Sequence, residues 1–67
     1  MISAITKTYL RHYRDNGQRT LYIEWRDGRG AWGRTECEAE RSVSSAHMRA
    51  LLDRAKREGV PLEFETW

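Results

Sequence analysis

Residues 10–37 decide the fold, and they read LRHYRDNGQRTLYIEWRDGRGAWGRTEC. Two turn sequences interrupt this stretch, DNGQ at residues 15–18 and DGRG at residues 27–30. Asn-Gly is a strong signal for a tight hairpin turn, because both of its residues tolerate positive φ. The two turns predict three consecutive antiparallel strands, at Thr6–Arg14, Arg19–Arg26 and Ala31–Glu40.

The loop of the first hairpin sets the strand register and therefore the two faces of the sheet. A two-residue loop at Asn16-Gly17 places Leu10 opposite Ile23. The face that carries the aliphatic side chains is the predicted core face. We expect it to hold Thr8, Leu10, His12, Leu21, Ile23 and Trp25.

The core face also distinguishes two loop lengths for the second hairpin. A two-residue loop would bury Arg34, which is costly for a charge without a partner. A three-residue loop, Gly28–Gly30, instead places Trp25 opposite Gly33. A large residue then lies over a small one without a clash, so we predict the three-residue loop.

Residues 42–59 have the apolar spacing of an amphipathic helix. Ser44 is the predicted N-cap, and Val43 is expected to pack on Met48 as a hydrophobic staple. Gly59 suits the left-handed position just beyond the last turn. The sequence therefore predicts one helix between the third strand and the C-terminal segment.

Residues 62–67 alternate between apolar and polar types, which predicts a fourth strand. Leu62 and Phe64 are expected to face the core, and Glu63 and Glu65 to face outward. A strand that returns across a helix pairs in parallel, and the slot beside the first strand fits it. The predicted fold is α+β, in the order β-β-β-α-β, with a four-stranded mixed sheet of order 3-2-1-4 and one helix on one face.

Length and composition limit the domain organisation. The chain has 67 residues, a formal net charge of +2 and a single cysteine. We predict one domain, residues 1–67, with no membrane-spanning segment, secretory signal or internal disulfide. A single thiol is typical of a reducing compartment, so we expect a cytoplasmic protein.

The sequence contains no pattern typical of an enzyme, a metal site or a cofactor site. His12, His47 and Cys37 do not have the paired spacing of metal ligands. Ser44 and Ser45 are more typical of a helix start than of a nucleophile. We therefore expect a non-enzymatic protein that uses no cofactor and no metal.

The sheet face opposite the helix is predicted to collect aromatic and arginine side chains. These residue types are enriched at protein interfaces. They also stiffen small sheets as cross-strand pairs, and that purely structural role stays open. We interpret the face as a docking surface for a larger host protein or nucleoprotein complex. The predicted partner-binding residues are Tyr9, Arg11, Tyr13, Tyr22, Arg26, Trp32 and Arg34.

Three alternatives use the same surfaces. The aromatic face would also suit stacking on single-stranded nucleic acid, although glutamates on that face would repel phosphates. It would equally suit a homodimer interface. An acidic edge on the third strand would imitate phosphates and occupy a basic channel of a partner. The acidic edge consists of Glu36, Glu38 and Glu40.

Three segments, Thr8–Asp15, Tyr22–Trp25 and Ala46–Ala55, resemble small uncharacterised proteins that phages and prophages of proteobacteria encode. The resemblance extends from Thr6 to Trp67 and includes no catalytic motif. It implies a mobile-element setting. Small proteins of that setting, such as anti-CRISPR proteins, block host machinery by binding it, so the resemblance implies an inhibitor.

Overall fold

In the computed structural model, which describes residues 1–67, four strands form one mixed sheet with a helix packed on one face. The elements in chain order are β1 (Ile2–His12), β2 (Arg19–Asp27), β3 (Trp32–Glu38), α1 (Ala39–Ser42), α2 (Ala46–Arg57) and β4 (Leu62–Thr66). The strand order is β3-β2-β1-β4, with β4 parallel to β1 and the other pairs antiparallel. The predicted fold class and strand order are confirmed. No helix is both long enough and apolar enough to cross a membrane.

The first hairpin has a longer loop than predicted. The Tyr13 amide bonds the Gln18 carbonyl and closes a four-residue loop, and Leu10 lies opposite Leu21. The Asn16 side chain accepts a hydrogen bond from the Gln18 amide (2.8 Å), which fixes the wider turn. The prediction of a two-residue loop is wrong. The resulting register shift is two residues, so each side chain keeps its predicted face.

β1 begins at Ile2, ahead of the predicted start at Thr6, and it contains two β-bulges. In each bulge β1 carries one extra residue relative to β2, at Ser3 and at Thr6. The extra residue at Thr6 shifts the alternation by one position, which brings Ile5 to the helix side, where it joins the core. An apolar pattern read with strict alternation does not find this core residue.

Two side chains at the end of α2 bind the backbone of the bulged part of β1. The Arg54 guanidinium donates hydrogen bonds to the carbonyl oxygens of Ile2 (2.8 Å) and Ser3 (2.7 Å). The Glu58 carboxylate accepts one from the Ile5 amide (3.0 Å) and one from Arg54 (2.6 Å). These bonds, the Ile5 amide first, lower the pKa of Glu58 below its ordinary value of 4.5. We call this set of bonds the Arg54–Glu58 clasp.

The second hairpin has the predicted register, with Trp25 opposite Gly33 and a three-residue loop. The Asp27 carboxylate organises the loop because it accepts hydrogen bonds from the amides of Arg29 (2.8 Å) and Ala31 (2.9 Å). These bonds lower the pKa of Asp27. The prediction made from the cost of burying Arg34 and from the volumes of Trp25 and Gly33 is therefore confirmed.

The helical region begins differently from its prediction. β3 ends at Glu38, and the short α1 separates it from α2. The N-cap of α2 is Ser45, whose hydroxyl accepts a hydrogen bond from the Met48 amide (3.2 Å), so the prediction of Ser44 is wrong. Val43 is 73% exposed, so the predicted staple is also wrong. At the other end the prediction is confirmed, since Gly59 has a φ of +78°.

The core lies between α2 and the two central strands. Its buried members are Ile5, Leu21, Ile23, Met48, Leu51 and Ala55. A helix about 10 Å wide covers roughly two strands spaced about 4.8 Å apart, so a single helix cannot cover the whole sheet. Leu62 and Phe64 on β4 are consequently exposed, and their predicted burial is wrong. His12, at the end of β1, is exposed as well and does not belong to the core.

Candidate functional site

The sheet face away from α2 is covered by its own side chains, which we call the aromatic–cation layer. Its members are Lys7, Tyr9, Arg11, Tyr13, Tyr22, Arg34 and Trp67. Tyr9 and Tyr22 lie directly opposite each other on β1 and β2 and stack at 5.0 Å between ring centroids. Only 2% of Tyr9 and 5% of Tyr22 is exposed. Both rings are therefore buried without any helix above them.

Arg11 is the centre of this layer. Its guanidinium carbon lies 4.0 Å from the Trp67 ring centroid and 4.9 Å from that of Tyr22. It also donates hydrogen bonds to Glu65 (3.0 Å) and to the Tyr13 hydroxyl (3.3 Å). These bonds, the Tyr13 bond first, raise the pKa of Arg11. The charge is thus neutralised by Glu65 and enclosed by rings, an arrangement that favours arginine over lysine.

The hydroxyl groups of the layer are also paired. The Tyr9 hydroxyl donates to the Glu24 carboxylate at 2.7 Å, and burial together with this bond raises the pKa of Tyr9. The hydroxyls of Tyr13 and Tyr22 lie 2.7 Å apart, which raises the pKa of Tyr22 and lowers that of Tyr13. No buried side-chain nitrogen or oxygen in the chain lacks a partner. The three tyrosine hydroxyls of the layer are therefore all satisfied within the chain.

The seven predicted partner-binding residues differ in their exposure. Tyr9 and Tyr22 are buried, and Arg11 is held between rings, so the expectation that these side chains meet solvent is wrong. Tyr13 is half-buried. The exposed members are Arg26, Trp32 and Arg34. Arg34 covers the Tyr22 ring at 4.8 Å, so only part of the predicted docking surface is presented to a partner.

The predicted acidic edge is not one strand face. Glu36 and Glu38 lie on β3, whereas Glu40 lies in α1. Each carboxylate also has an arginine neighbour: Glu36 pairs with Arg34 (3.9 Å), Glu38 with Arg41 (3.6 Å) and Glu40 with Arg19 (3.3 Å). These pairs reduce the concentration of negative charge that an imitation of phosphates requires.

The opposite face has an apolar groove beside β4, and the sequence patterns did not locate it. Its volume is about 590 Å³, and we call it the β4 groove. Its apolar lining residues are Leu10, Leu21, Ala39, Val43, Leu52 and Leu62. Phe64 lies on β4 opposite Leu10, one of the lining residues, and is 75% exposed. The groove is the space that α2 leaves uncovered between α1, β1 and β4.

A signal for the groove was present in the sequence. The predicted helix offers one narrow apolar stripe, formed by Met48, Leu51, Leu52 and Ala55. A stripe of that width covers two central strands. The apolar residues of a fourth strand at the sheet edge therefore had no partner, although their alternation alone predicts burial.

The outer edge of β4 has no neighbouring strand. The Trp67 amide donates to the His12 carbonyl (2.8 Å), and the Trp67 carbonyl accepts from the Arg14 amide (2.9 Å), so the backbone groups of Trp67 point toward β1. Because backbone direction alternates along a strand, the N–H and C=O groups of the even-numbered residues point outward. These are Leu62, Phe64 and Thr66. The edge and the groove are adjacent.

The candidate chemical residues are dispersed. No group of three or more His, Cys, Asp or Glu side chains is arranged to hold a metal ion. Cys37 is half-buried opposite Leu21 and packs against the core, and His47 is exposed in the first turn of α2.

No protein-family model, curated protein or solved structure matches the chain.

Proposed function

We propose that the chain is a non-enzymatic interaction protein that docks on a larger protein through the β4 groove. The observation that carries this proposal is the exposure of three large apolar side chains around one groove, next to an unpaired strand edge. They are Val43 and Leu62, which line the groove, and Phe64, which lies opposite the lining residue Leu10. Scattered exposed apolar residues are ordinary on protein surfaces, whereas a group beside an open edge is typical of an interaction site.

The stacking of single-stranded nucleic acid is the weaker alternative. Base stacking requires accessible rings. Tyr9 and Tyr22 stack on each other and are buried, so Trp32 and Trp67 are the accessible rings of that face. Moreover, the Arg11 guanidinium lies over Trp67. These contacts favour a protein partner at the groove.

The resemblance to phage-encoded proteins supports a narrower form of the same proposal. In this form the partner is a host protein or nucleoprotein complex inside the cell, such as a CRISPR effector, and docking inhibits it. The cytoplasmic setting is supported by the single cysteine. Neither part is required for the groove to be the docking surface.

The proposal is tested by affinity capture from a bacterial lysate, with and without nuclease, using three forms of the tagged chain. These are the natural chain, Phe64→Ser and Trp32→Ser. Phe64 and Trp32 are exposed aromatic residues on opposite faces of the sheet, so neither substitution alters the core. We expect a stoichiometric protein partner that survives nuclease. Phe64→Ser should deplete it about tenfold or more, and Trp32→Ser should retain it.

Each other outcome contradicts the proposal in a different way. Equal capture by the natural and Phe64→Ser chains would remove the groove from the interface. A loss confined to Trp32→Ser would move the site to the sheet face away from α2, around the exposed Trp32. A bound fraction that disappears with nuclease would favour the nucleic-acid alternative.

A further inference from the structure

The backbone of β4 indicates which type of partner segment occupies the groove. This inference rests on the proposed function. Leu62, Phe64 and Thr66 direct their N–H and C=O groups away from β1 into open space. An extended peptide laid along this edge would complete these bonds and add a fifth strand to the sheet. Alternate side chains of that peptide would then enter the β4 groove next to Leu62 and Phe64.

The other side of such a peptide would meet acidic side chains. Glu63 and Glu65 point to the face away from α2. Glu65 is already paired with Arg11 (3.0 Å) and Lys7 (3.8 Å). Glu63 is exposed, and no cation of the chain lies within 4.0 Å of its carboxylate. An added strand would thus place one side chain beside a free negative charge.

A second copy of the chain does not fit this edge well. In an antiparallel pair of two β4 strands, the residues with outward backbone groups would bond to each other. Even-numbered residues would therefore lie opposite even-numbered residues, and odd-numbered residues opposite odd-numbered ones. In the registers with the longest overlap, Glu63 then faces Glu63 or Glu65 of the other copy. Like charges directly opposite each other destabilise a strand pair, so self-pairing is disfavoured.

The opposite edge of the sheet is less suitable for strand addition. On the helix side of β3 the residues are small, Gly33, Thr35 and Cys37, and Trp25 fills the space above Gly33. On the other side Arg34 and Glu36 pair with each other. This edge offers no apolar groove and no unpaired charge.

We infer that the β4 edge binds an extended segment of another protein in which apolar residues alternate with lysine or arginine. The apolar residues occupy the β4 groove, and a basic residue lies opposite Glu63. Backbone hydrogen bonds supply affinity, while the groove and Glu63 supply the preference for this pattern.

The test uses two synthetic peptides of about eight residues, one alternating valine and lysine and one alternating valine and glutamate. Each is titrated into the isotopically labelled chain and followed by NMR. We expect the lysine peptide to shift the amide signals of Leu62, Phe64 and Thr66. We also expect it to bind about fivefold more tightly than the glutamate peptide. Glu63→Lys should remove or reverse this preference. Glu36→Lys, the matched charge reversal on the opposite edge strand, should leave it unchanged.

Several results would overturn the inference. Equal binding of the two peptides would show that Glu63 does not select the partner. Absence of binding by either peptide, or signal changes centred on another element, would exclude strand addition at β4. If the molecular mass in solution doubles as the protein concentration rises, and the amide signals that shift are confined to β4, the occupant is a second copy of the chain. If lysate capture still depends on Phe64 in these cases, the proposed function stands and only the inference fails.

Discussion

On the face away from α2, Tyr9 and Tyr22 are buried although no helix covers them, whereas Leu62 and Phe64 are exposed on the helix face. The first face is closed by Arg11, Arg34 and Lys7, whose charged groups lie over the rings. The second face depends on α2, which is too narrow to reach β4. Apolar content therefore does not predict which surface is available to a partner.

Long cationic side chains cause this difference. An arginine covers apolar surface with its stem and its flat guanidinium while its charge is satisfied at the edge. β4 has no such residue on the helix side, where Leu62, Phe64 and Thr66 alternate with glutamates that point away. The face with more aromatic residues is thus the more self-contained of the two.

The largest expected effect is that of Tyr22→Ala, which opens the aromatic–cation layer. We expect it to lower the free energy of unfolding by about 3 kcal/mol, because a buried ring is lost and the Tyr9 ring is uncovered. Urea unfolding followed by circular dichroism measures this loss. Tyr22→Phe is the control, and it should cost about 1 kcal/mol through the lost hydroxyl pair with Tyr13.

A stability loss below about 1 kcal/mol for Tyr22→Ala would mean that the layer is loose and that its rings are accessible. In that case the two sheet faces would not differ in how accessible their apolar side chains are. The aromatic face would then regain its place as the predicted docking surface.

A smaller loss in the free energy of unfolding is expected from Gly33→Ala. This substitution tests the β3 side of the sheet face that carries α2, for comparison with the open β4 side. At the β3 end the Trp25 ring packs directly on Gly33, and a Cβ there would collide with the ring. Trp25 is also held by a hydrogen bond from its ring nitrogen to Thr35 (3.1 Å). Overpacking should therefore lower the free energy of unfolding by about 2 kcal/mol.

The measurement is urea unfolding of Gly33→Ala beside Gly28→Ala, since a Cβ at Gly28 meets no atom. An unchanged stability for Gly33→Ala would show that Trp25 moves freely. The β3 end would then be as open as the β4 end.

Acid is expected to lower the free energy of unfolding moderately. It acts on one carboxylate in the Arg54–Glu58 clasp and on one beside the aromatic–cation layer. The pKa of Glu58 is lowered by the Ile5 amide and Arg54, and the pKa of Glu65 is lowered by Arg11. A carboxylate whose pKa is lower in the folded state stabilises the fold fully above its ordinary pKa of 4.5. This stability is lost as the pH falls through the lowered pKa.

Urea midpoints measured from pH 7 down to about pH 2 should therefore fall below pH 4.5. Glu58→Gln should have a lower midpoint at pH 7 and a weaker acid dependence than the natural chain. Glu63→Gln is the matched control, because Glu63 has no ion pair. An acid dependence that is unchanged in Glu58→Gln would contradict the clasp.

The sequence was sufficient for the strand order and for the second hairpin. In the hairpin, the cost of burying Arg34 and the complementary volumes of Trp25 and Gly33 select one register. It was not sufficient for the first loop, where a side-chain bond from Asn16 extends the turn. It also failed for Ile5, since a bulge changes alternation without leaving a mark in the apolar pattern.

Exposure was harder to predict than topology. The alternation of residues 62–67 assigns faces correctly, but whether a face is covered depends on the width of its neighbour. The burial of Tyr9 and Tyr22 likewise depends on two arginine side chains that converge from different strands, Arg11 on β1 and Arg34 on β3. Both properties arise from contacts between distant parts of the chain.

The smallest effect on stability is expected from Phe64→Ser, which makes the comparison between the faces sharpest. Phe64 is 75% exposed, so the free energy of unfolding should change by less than about 0.5 kcal/mol. The fluorescence of a dye that binds exposed apolar surface should nevertheless fall, because a large exposed apolar side chain opposite the groove-lining Leu10 is removed. Trp32→Ser should reduce the dye signal less, since the exposed Trp32 ring does not line an apolar groove. If the two variants reduce dye binding equally, the two sheet faces expose similar apolar surface. The groove would then no longer be favoured over the other face as the docking surface.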